Sequence, residues 1–215
     1  MGEQRAERAP GPRSLILLRH GRTAWNHAGR VQGQLEVDLD EIGREQAERV
    51  AEVMAALSPS LLWCSDLART RQTCASVATA TGLVPTYDAR LREFFFGERE
   101  GLTHTEYAEA APEEFQQFRR GHYDACPSAE RTSAVEVRMT TVLGELLAAT
   151  EPGQTALAVS HGAAIRVATG ALLGWPDDAF HTLRGLDNCG WVVLQEHPDL
   201  HGPGALRLVA YNRTA

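Results

Sequence analysis

Short apolar runs in this chain break repeatedly into residues able to grip or attack an anion. Arg19-His20-Gly21 follows Ser14 to Leu18, and Ser65-Asp66-Leu67-Ala68-Arg69 follows Leu61 to Cys64. His161-Gly162 follows Thr155 to Ser160, and Leu91-Arg92-Glu93 comes after Val84 to Tyr87. Such breaks read as buried strands opening onto functional loops. A parallel sheet delivers the carboxyl ends of its strands to one edge, so two imidazoles, two guanidiniums and a carboxyl can converge there. That set suits phosphoryl transfer. Guanidinium forks offer paired donors to a phosphate dianion, which assigns Arg19 and Arg69. A neutral imidazole attacks phosphorus if its other nitrogen donates to a carbonyl, and His20 is placed for that. Glu93, followed by three Phe, fits the acid that protonates the leaving oxygen and next deprotonates water. His161, if cationic, would stabilise the transferring oxygens, a task given elsewhere to a metal ion; no metal is expected. Singly, each residue has an ordinary reading: a helix-terminal His, a helix-face Arg, a solvated Glu, a core His. Their joint occurrence in order carries the argument.

Composition removes competing classes. The 215 residues are 43% hydrophobic and 23% charged, which excludes a disordered chain. With 28 acidic against 21 basic residues the net charge is -7, unsuited to a general binder of nucleic acid or anionic membranes. Every basic residue of the 21 is Arg. Without Lys there is no P-loop lysine, Schiff base or pyridoxal-phosphate anchor. The four cysteines, Cys64, Cys74, Cys126 and Cys189, form no C-x-x-C pair, which favours a reducing compartment. There is no G-x-S-x-G or H-E-x-x-H motif. Residues 1–13 read as a disordered polar tail without an apolar signal region, and no apolar run approaches a membrane span. A cytoplasmic protein is expected.

Helices are predicted from Asp40 to Leu57 (Ile42, Val50, Met54 and Leu57 near helical spacing), from Ala68 to Thr81, through Val135, Met139, Val142 and Leu146, and from Ala163 to Leu173. Strands are predicted at the four apolar runs above, Val84 to Tyr87 among them, and at 190–195 and 206–211. Alternating strands and helices imply an α/β fold, a mostly parallel sheet covered on both faces, with residues 14–215 as a single domain. The aromatic-rich segment 94–132 interrupts the rhythm and reads as an insertion over the carboxyl edge of the sheet, there to wall a ligand pocket.

Five segments together resemble a known family: LLRHGRTAWN (17–26), RVQGQLEVDLDEIGREQA (30–47), CSDLARTRQT (64–73), LREFFFGEREGLT (91–103) and SHGAAIR (160–166). They look like the histidine phosphatase superfamily in its phosphoglycerate-mutase-like branch. Within that branch QGQLEVDLDEIG and GLTHTEY are similar to the actinobacterial glucosyl-3-phosphoglycerate phosphatases. The resemblance implies a three-layer α/β/α fold with a mostly parallel six-stranded sheet and a small helical cap. It implies a metal-independent phosphomonoesterase with His20 as the phosphorylated nucleophile, Glu93 as proton donor, and Arg19, Arg69 and His161 as phosphate pocket. Asn26, Thr23, Gln32, Gly33 and Gly162 match phosphate- or substrate-binding positions. The expected partner is a small phosphomonoester, a sugar phosphate or phosphoglycerate derivative, with a homodimer possible. Two departures stand out: Arg22 occupies a position where Glu or Gln is usual, and Ala129-Glu130-Arg131 replaces Gly-Glu-Ser. Two alternatives stay open. Arg119-Arg120 resembles the basic insert of mutases, although His161 lies only 41 positions after Arg120, a shorter span than the mutase segment. A silent phospholigand-binding protein would need only Arg19, Arg69 and His161.

Overall fold

The structure, a computed structural model, describes residues 11–176, 179–197 and 205–215. In chain order its elements are β1 (Ser14–Arg19), α1 (Ala24–His27), α2 (Glu41–Ala56), β2 (Leu61–Cys64), α3 (Ala68–Thr81), β3 (Thr86–Tyr87), α4 (His104–Ala110), α5 (Pro112–Arg120), α6 (Thr132–Ala148), β4 (Thr155–Ser160), α7 (Gly162–Leu172), β5 (Trp191–Glu196) and β6 (Leu206–Arg213). The six strands form one sheet in the order β3-β2-β4-β1-β5-β6. β1 to β4 run parallel, while β5 pairs antiparallel with β1 and β6.

Strand side chains alternate between faces, and β1 divides its own accordingly. Leu15 and Leu17 enter a core with Val135, Met139, Val142 and Leu146 of α6 and Ile165 of α7. Ile16 and Leu18 enter the opposite core with Val50 and Met54 of α2 and Cys74 and Val77 of α3. The result is three layers, helices on both sides of a mostly parallel sheet. Between Glu93 and α6 the chain folds into α4, α5 and short 3-10 turns, and its Phe94, Phe96, Tyr107 and Tyr123 join the α6/α7 core. Among the described residues no helix is long and apolar enough to cross a membrane.

Three expectations are corrected. The strand expected from Val84 shrinks to Thr86–Tyr87, an edge strand with Val84 88% exposed. Ile42 and Leu57 lie outside the buried face of α2, which is built instead from Gly43, Ala47, Val50, Ala51 and Met54. Of the expected tail, residues 1–10 lie outside the described residues, whereas Arg13 is tied to the fold. Its guanidinium pairs with Glu196 at 2.9 Å and donates to the Leu147 carbonyl.

Gly43 explains the shift on α2. A Cβ there would lie 1.9 Å from the Arg22 carbonyl oxygen, and one on Gly21 would lie 2.4 Å from the Gly43 oxygen. The loop leaving β1 therefore rests backbone to backbone on the first turn of α2, with room for no side chain. Asp40 caps that turn, its Oδ1 accepting from Gly43 N at 2.7 Å, while Oδ2 pairs with Arg22 Nε at 2.8 Å. We expect Gly43→Ala to destabilise the protein by about 1–3 kcal/mol through overpacking, seen as a lower urea midpoint at unchanged slope. An unchanged midpoint would mean that loop and helix separate freely.

Candidate active site

Parallel pairing sets Arg19 opposite Ser160, so the residues one step beyond, His20 and His161, leave neighbouring strands side by side. Their ring centroids are 5.3 Å apart, edge to face. The His20 carbonyl accepts from Cys189 N (3.1 Å) and Asn188 Nδ2 (3.3 Å), which fixes the backbone of the loop.

The His20 Nδ1 lies 2.7 Å from the Gly21 carbonyl oxygen. A carbonyl only accepts, so Nδ1 carries the proton and Nε2 keeps its lone pair. Burial, then the charges of Arg69 and Arg19, hold the His20 pKa well below the usual histidine value, against the opposing effect of the Gly21 carbonyl. His161 is fully buried, with Nε2 2.8 Å from Ser65 Oγ. Burial, then Arg69 and His20, push its pKa well below the usual value too. The cationic His161 considered from sequence is thus disfavoured by its surroundings; a neutral imidazole can still donate from one nitrogen.

Arg69, at the start of α3, is 1% exposed. Its terminal nitrogens donate to the carbonyls of Gly33 (2.6 Å) and Leu35 (2.9 Å). Burial lowers its pKa to about 10, with Glu93 opposing the shift and Arg19 adding to it. Arg19 donates to the Leu186 carbonyl and is likewise lowered by burial, opposed by Glu93 and Asp187. Arg19 Nε, Arg69 Nε and His161 Nδ1 are buried without a hydrogen-bond partner. Unpaired buried donors are costly, and a bound anion would supply acceptors.

The Glu93 carboxylate accepts from the backbone N–H groups of Ala163 (3.1 Å) and Ala164 (2.9 Å) in the first turn of α7, and from Phe94 N (3.0 Å). Asn26 Oδ1 accepts from Thr23 N and from Asn188 Nδ2, both at 3.1 Å. With its oxygen so engaged, what Asn26 offers the cavity is its amide NH2. The Thr23 hydroxyl donates to Gln32 Oε1 at 3.0 Å.

Arg19, His20, Asn26, Gln32, Gly33, Arg69 and Glu93 line one cavity of about 150 Å³, shared with Arg30, His104 and the aromatic rings of Phe96, Phe118 and Tyr123. Thr23, His161 and Gly162 do not line this cavity, although the His161 ring lies against that of His20 and its Nδ1 has no partner. Thr23 carries the Asn26 and Gln32 side chains, and Gly162 leaves space for Arg19, whose Nε would lie 3.2 Å from a Cβ there. Among the described residues no cluster of three or more His, Cys, Asp or Glu is placed to hold a metal ion.

Sequence reasoning did not single out Asn188 or Arg138, and met Glu130 only within the Ala129-Glu130-Arg131 departure. Arg138 donates to the carbonyls of Arg90, Arg92 and Glu93 and pairs with Glu130. Backbone carbonyls as partners leave no trace in residue spacing. The unusual Arg22 is accounted for by its ion pair with Asp40. Three guanidiniums, of Arg19, Arg30 and Arg69, against the one Glu93 carboxylate in its lining leave the cavity cationic, in a chain whose net charge is -7. Such a place could take up an anion beside the unprotonated nitrogen of His20 and the Glu93 carboxyl.

A sequence profile of the histidine phosphatase superfamily (branch 1) matches residues 15–208. The chain is 37% identical to a glucosyl-3-phosphoglycerate phosphatase of Mycolicibacterium vanbaalenii, covering 94% of this chain and 96% of that one. It is 36% identical to a probable phosphoglycerate mutase of Enterobacter, covering 86% of each. A mycobacterial glucosyl-3-phosphoglycerate phosphatase solved with VO3 superposes with a TM-score of 0.86 at 35% identity, over 94% of this chain and 100% of that one.

The lowered imidazole pKa values have a solution signature. As pH falls, both rings should stay neutral through the ordinary histidine range near 6.5 and protonate only in more acidic solution. Nitrogen-15 NMR of the imidazoles reads this directly; a normal midpoint for both would show that burial and the guanidiniums do not dominate.

Proposed function

This chain belongs to the histidine phosphatase superfamily, and we propose that it hydrolyses a small sugar phosphate or phosphoglycerate derivative through a phosphohistidine formed on His20. The observation that carries this reading is the 2.7 Å contact of His20 Nδ1 with the Gly21 carbonyl, which leaves Nε2 unprotonated between two guanidiniums.

The phosphate dianion binds Arg19, Arg69 and the Asn26 amide, with His161 donating from a neutral ring. The Nε2 lone pair of His20 forms a bond to phosphorus while the bond from phosphorus to the ester oxygen breaks. That oxygen keeps the electron pair and takes a proton from Glu93. The guanidiniums meet the charge that develops on the other oxygens. With the alcohol gone, the Glu93 carboxylate takes a proton from water as the water oxygen attacks phosphorus, and the electron pair of the P–N bond returns to His20. The Nδ1 proton stays on the ring throughout, donated in a hydrogen bond to the Gly21 carbonyl. No step is assigned to a metal.

The relative from Mycolicibacterium, similar along nearly its whole length, supports a phosphorylated sugar derivative as substrate. The aromatic wall of Phe96, Phe118 and Tyr123 supports it too, because flat rings suit the apolar faces of a sugar. The resemblance to a probable mutase keeps transfer to a second hydroxyl as the competing reading.

His20→Ala should abolish acid-labile, base-stable phosphoenzyme in a rapid-quench experiment with labelled substrate; label that persists would remove the nucleophile assignment. Turnover should survive EDTA and be inhibited by vanadate, and a requirement for added Mg2+ would contradict the guanidinium pocket. Glu93→Gln should lower kcat by about a hundredfold or more with phosphate affinity little changed. A phosphate-release screen of sugar phosphates and phosphoglycerates, with 3-phosphoglycerate isomerisation followed alongside, tests the substrate; isomerisation outrunning release would favour the mutase.

A further inference from the structure

Glu93 has two ends, and the reaction requires both to be fixed. Its carboxylate rests on the first turn of α7, as described. Its backbone is held from another element, α6, by one guanidinium. Arg138 Nη1 donates to the carbonyls of Arg90 (2.8 Å) and Arg92 (2.6 Å), and Nη2 to that of Glu93 itself (3.0 Å). Gln34 Nε2 donates to the same Glu93 oxygen at 3.0 Å. The remaining edge of the guanidinium is held by Glu130, with Nε to Oε1 at 2.8 Å and Nη2 to Oε2 at 2.9 Å. Glu130 in turn docks on the residue two beyond Glu93: its backbone N donates to the Phe95 carbonyl at 2.7 Å.

The arrangement is specific to an arginine. Three carbonyls and a bidentate carboxylate are served by one planar group, whereas a lysine ammonium has three donors at a single point and cannot span them. Beyond Tyr87 this stretch pairs with no strand; from the sheet the Ser160 hydroxyl of β4 reaches the Leu91 carbonyl at 2.7 Å, while the Glu93 carbonyl is held by Arg138 and Gln34. Proton transfer in turn needs the carboxyl within hydrogen-bond reach of the leaving oxygen, and small displacements of a reacting group cost rate steeply.

We propose that Arg138, oriented by Glu130, is a positioning residue for proton transfer by Glu93, fixing the main chain from which that carboxyl reaches the leaving oxygen. The inference rests on the assignment of Glu93 as proton donor. Arg138 touches neither substrate nor reacting atoms in this scheme; it acts through Glu93, and kcat/KM, which reports the steps up to release of the alcohol, reads its effect on proton donation.

Leaving groups distinguish this role from general support of the fold. A simple alkyl phosphate needs its oxygen protonated as it departs, while 2,4-dinitrophenolate departs without help. In the full-length protein, Arg138→Lys should lower kcat/KM for the alkyl phosphate by about tenfold or more and leave 2,4-dinitrophenyl phosphate within about twofold, a selective loss typical of impaired general acid catalysis. Glu130→Gln, a gentler change that keeps the volume and one acceptor, should show the same selectivity at smaller size and serves if the first variant does not fold. Equal losses on both substrates, or none, would overturn the proposal. Glu93→Gln measured alongside separates the two readings. If it is selective and the Arg138 and Glu130 variants are not, only the positioning role falls. If it is not selective either, the acid assignment falls and the positioning role with it.

Discussion

Arg69 is 1% exposed, and a guanidinium withdrawn so far from water loses several kcal/mol of hydration unless the protein replaces it. The replacement shapes the whole site. The chain between α1 and α2 wraps so that the carbonyls of Gly33 and Leu35 face the guanidinium. Gly33 takes a left-handed φ of 51° to do so, against the Glu100 carboxylate, where a side chain would collide. The electrostatic balance is left incomplete: Arg19 lies close enough to weaken the Arg69 proton affinity further, and Glu93 offsets only part of the positive charge. An anion completes what the fold leaves open.

The same field explains the state of the imidazoles. Two cations beside two buried rings make protonation expensive, so His20 waits as a base with its lone pair exposed. A bound anion would offset the charges of Arg19 and Arg69 that disfavour the protonated rings. Glu93 is managed differently, through hydrogen bonds from α6 and α7 that fix its position.

Much of this could be read from the sequence because it depends on local pattern. Strands that end in Arg19-His20, Ser65 to Arg69 and Ser160-His161 announce their place at one sheet edge, and the periodicity of α6 and α7 marks their buried faces. Other features depend on backbone meeting backbone, where residue type is silent. Gly43 reads as a weak point in a helix until the loop carrying Arg22 is seen lying on it. Val84 has strand propensity, yet at the edge of the sheet it lacks a partner and lies exposed. Arg138 and Asn188 bind carbonyls, so neither spacing nor composition distinguishes them from solvated polar residues.

The separation of the two imidazoles has an origin apart from side-chain packing. His20 and His161 follow directly from paired positions on β1 and β4, and adjacent strands lie about 4.8 Å apart whatever their sequence. The spacing is thus inherited from the hydrogen-bond ladder itself, the most rigid ruler a polypeptide possesses. The segment from 94 to 131, which forms the aromatic wall, hangs outside that ladder. The wall can accordingly be rewritten without touching the ladder, while the imidazole pair keeps its gauge.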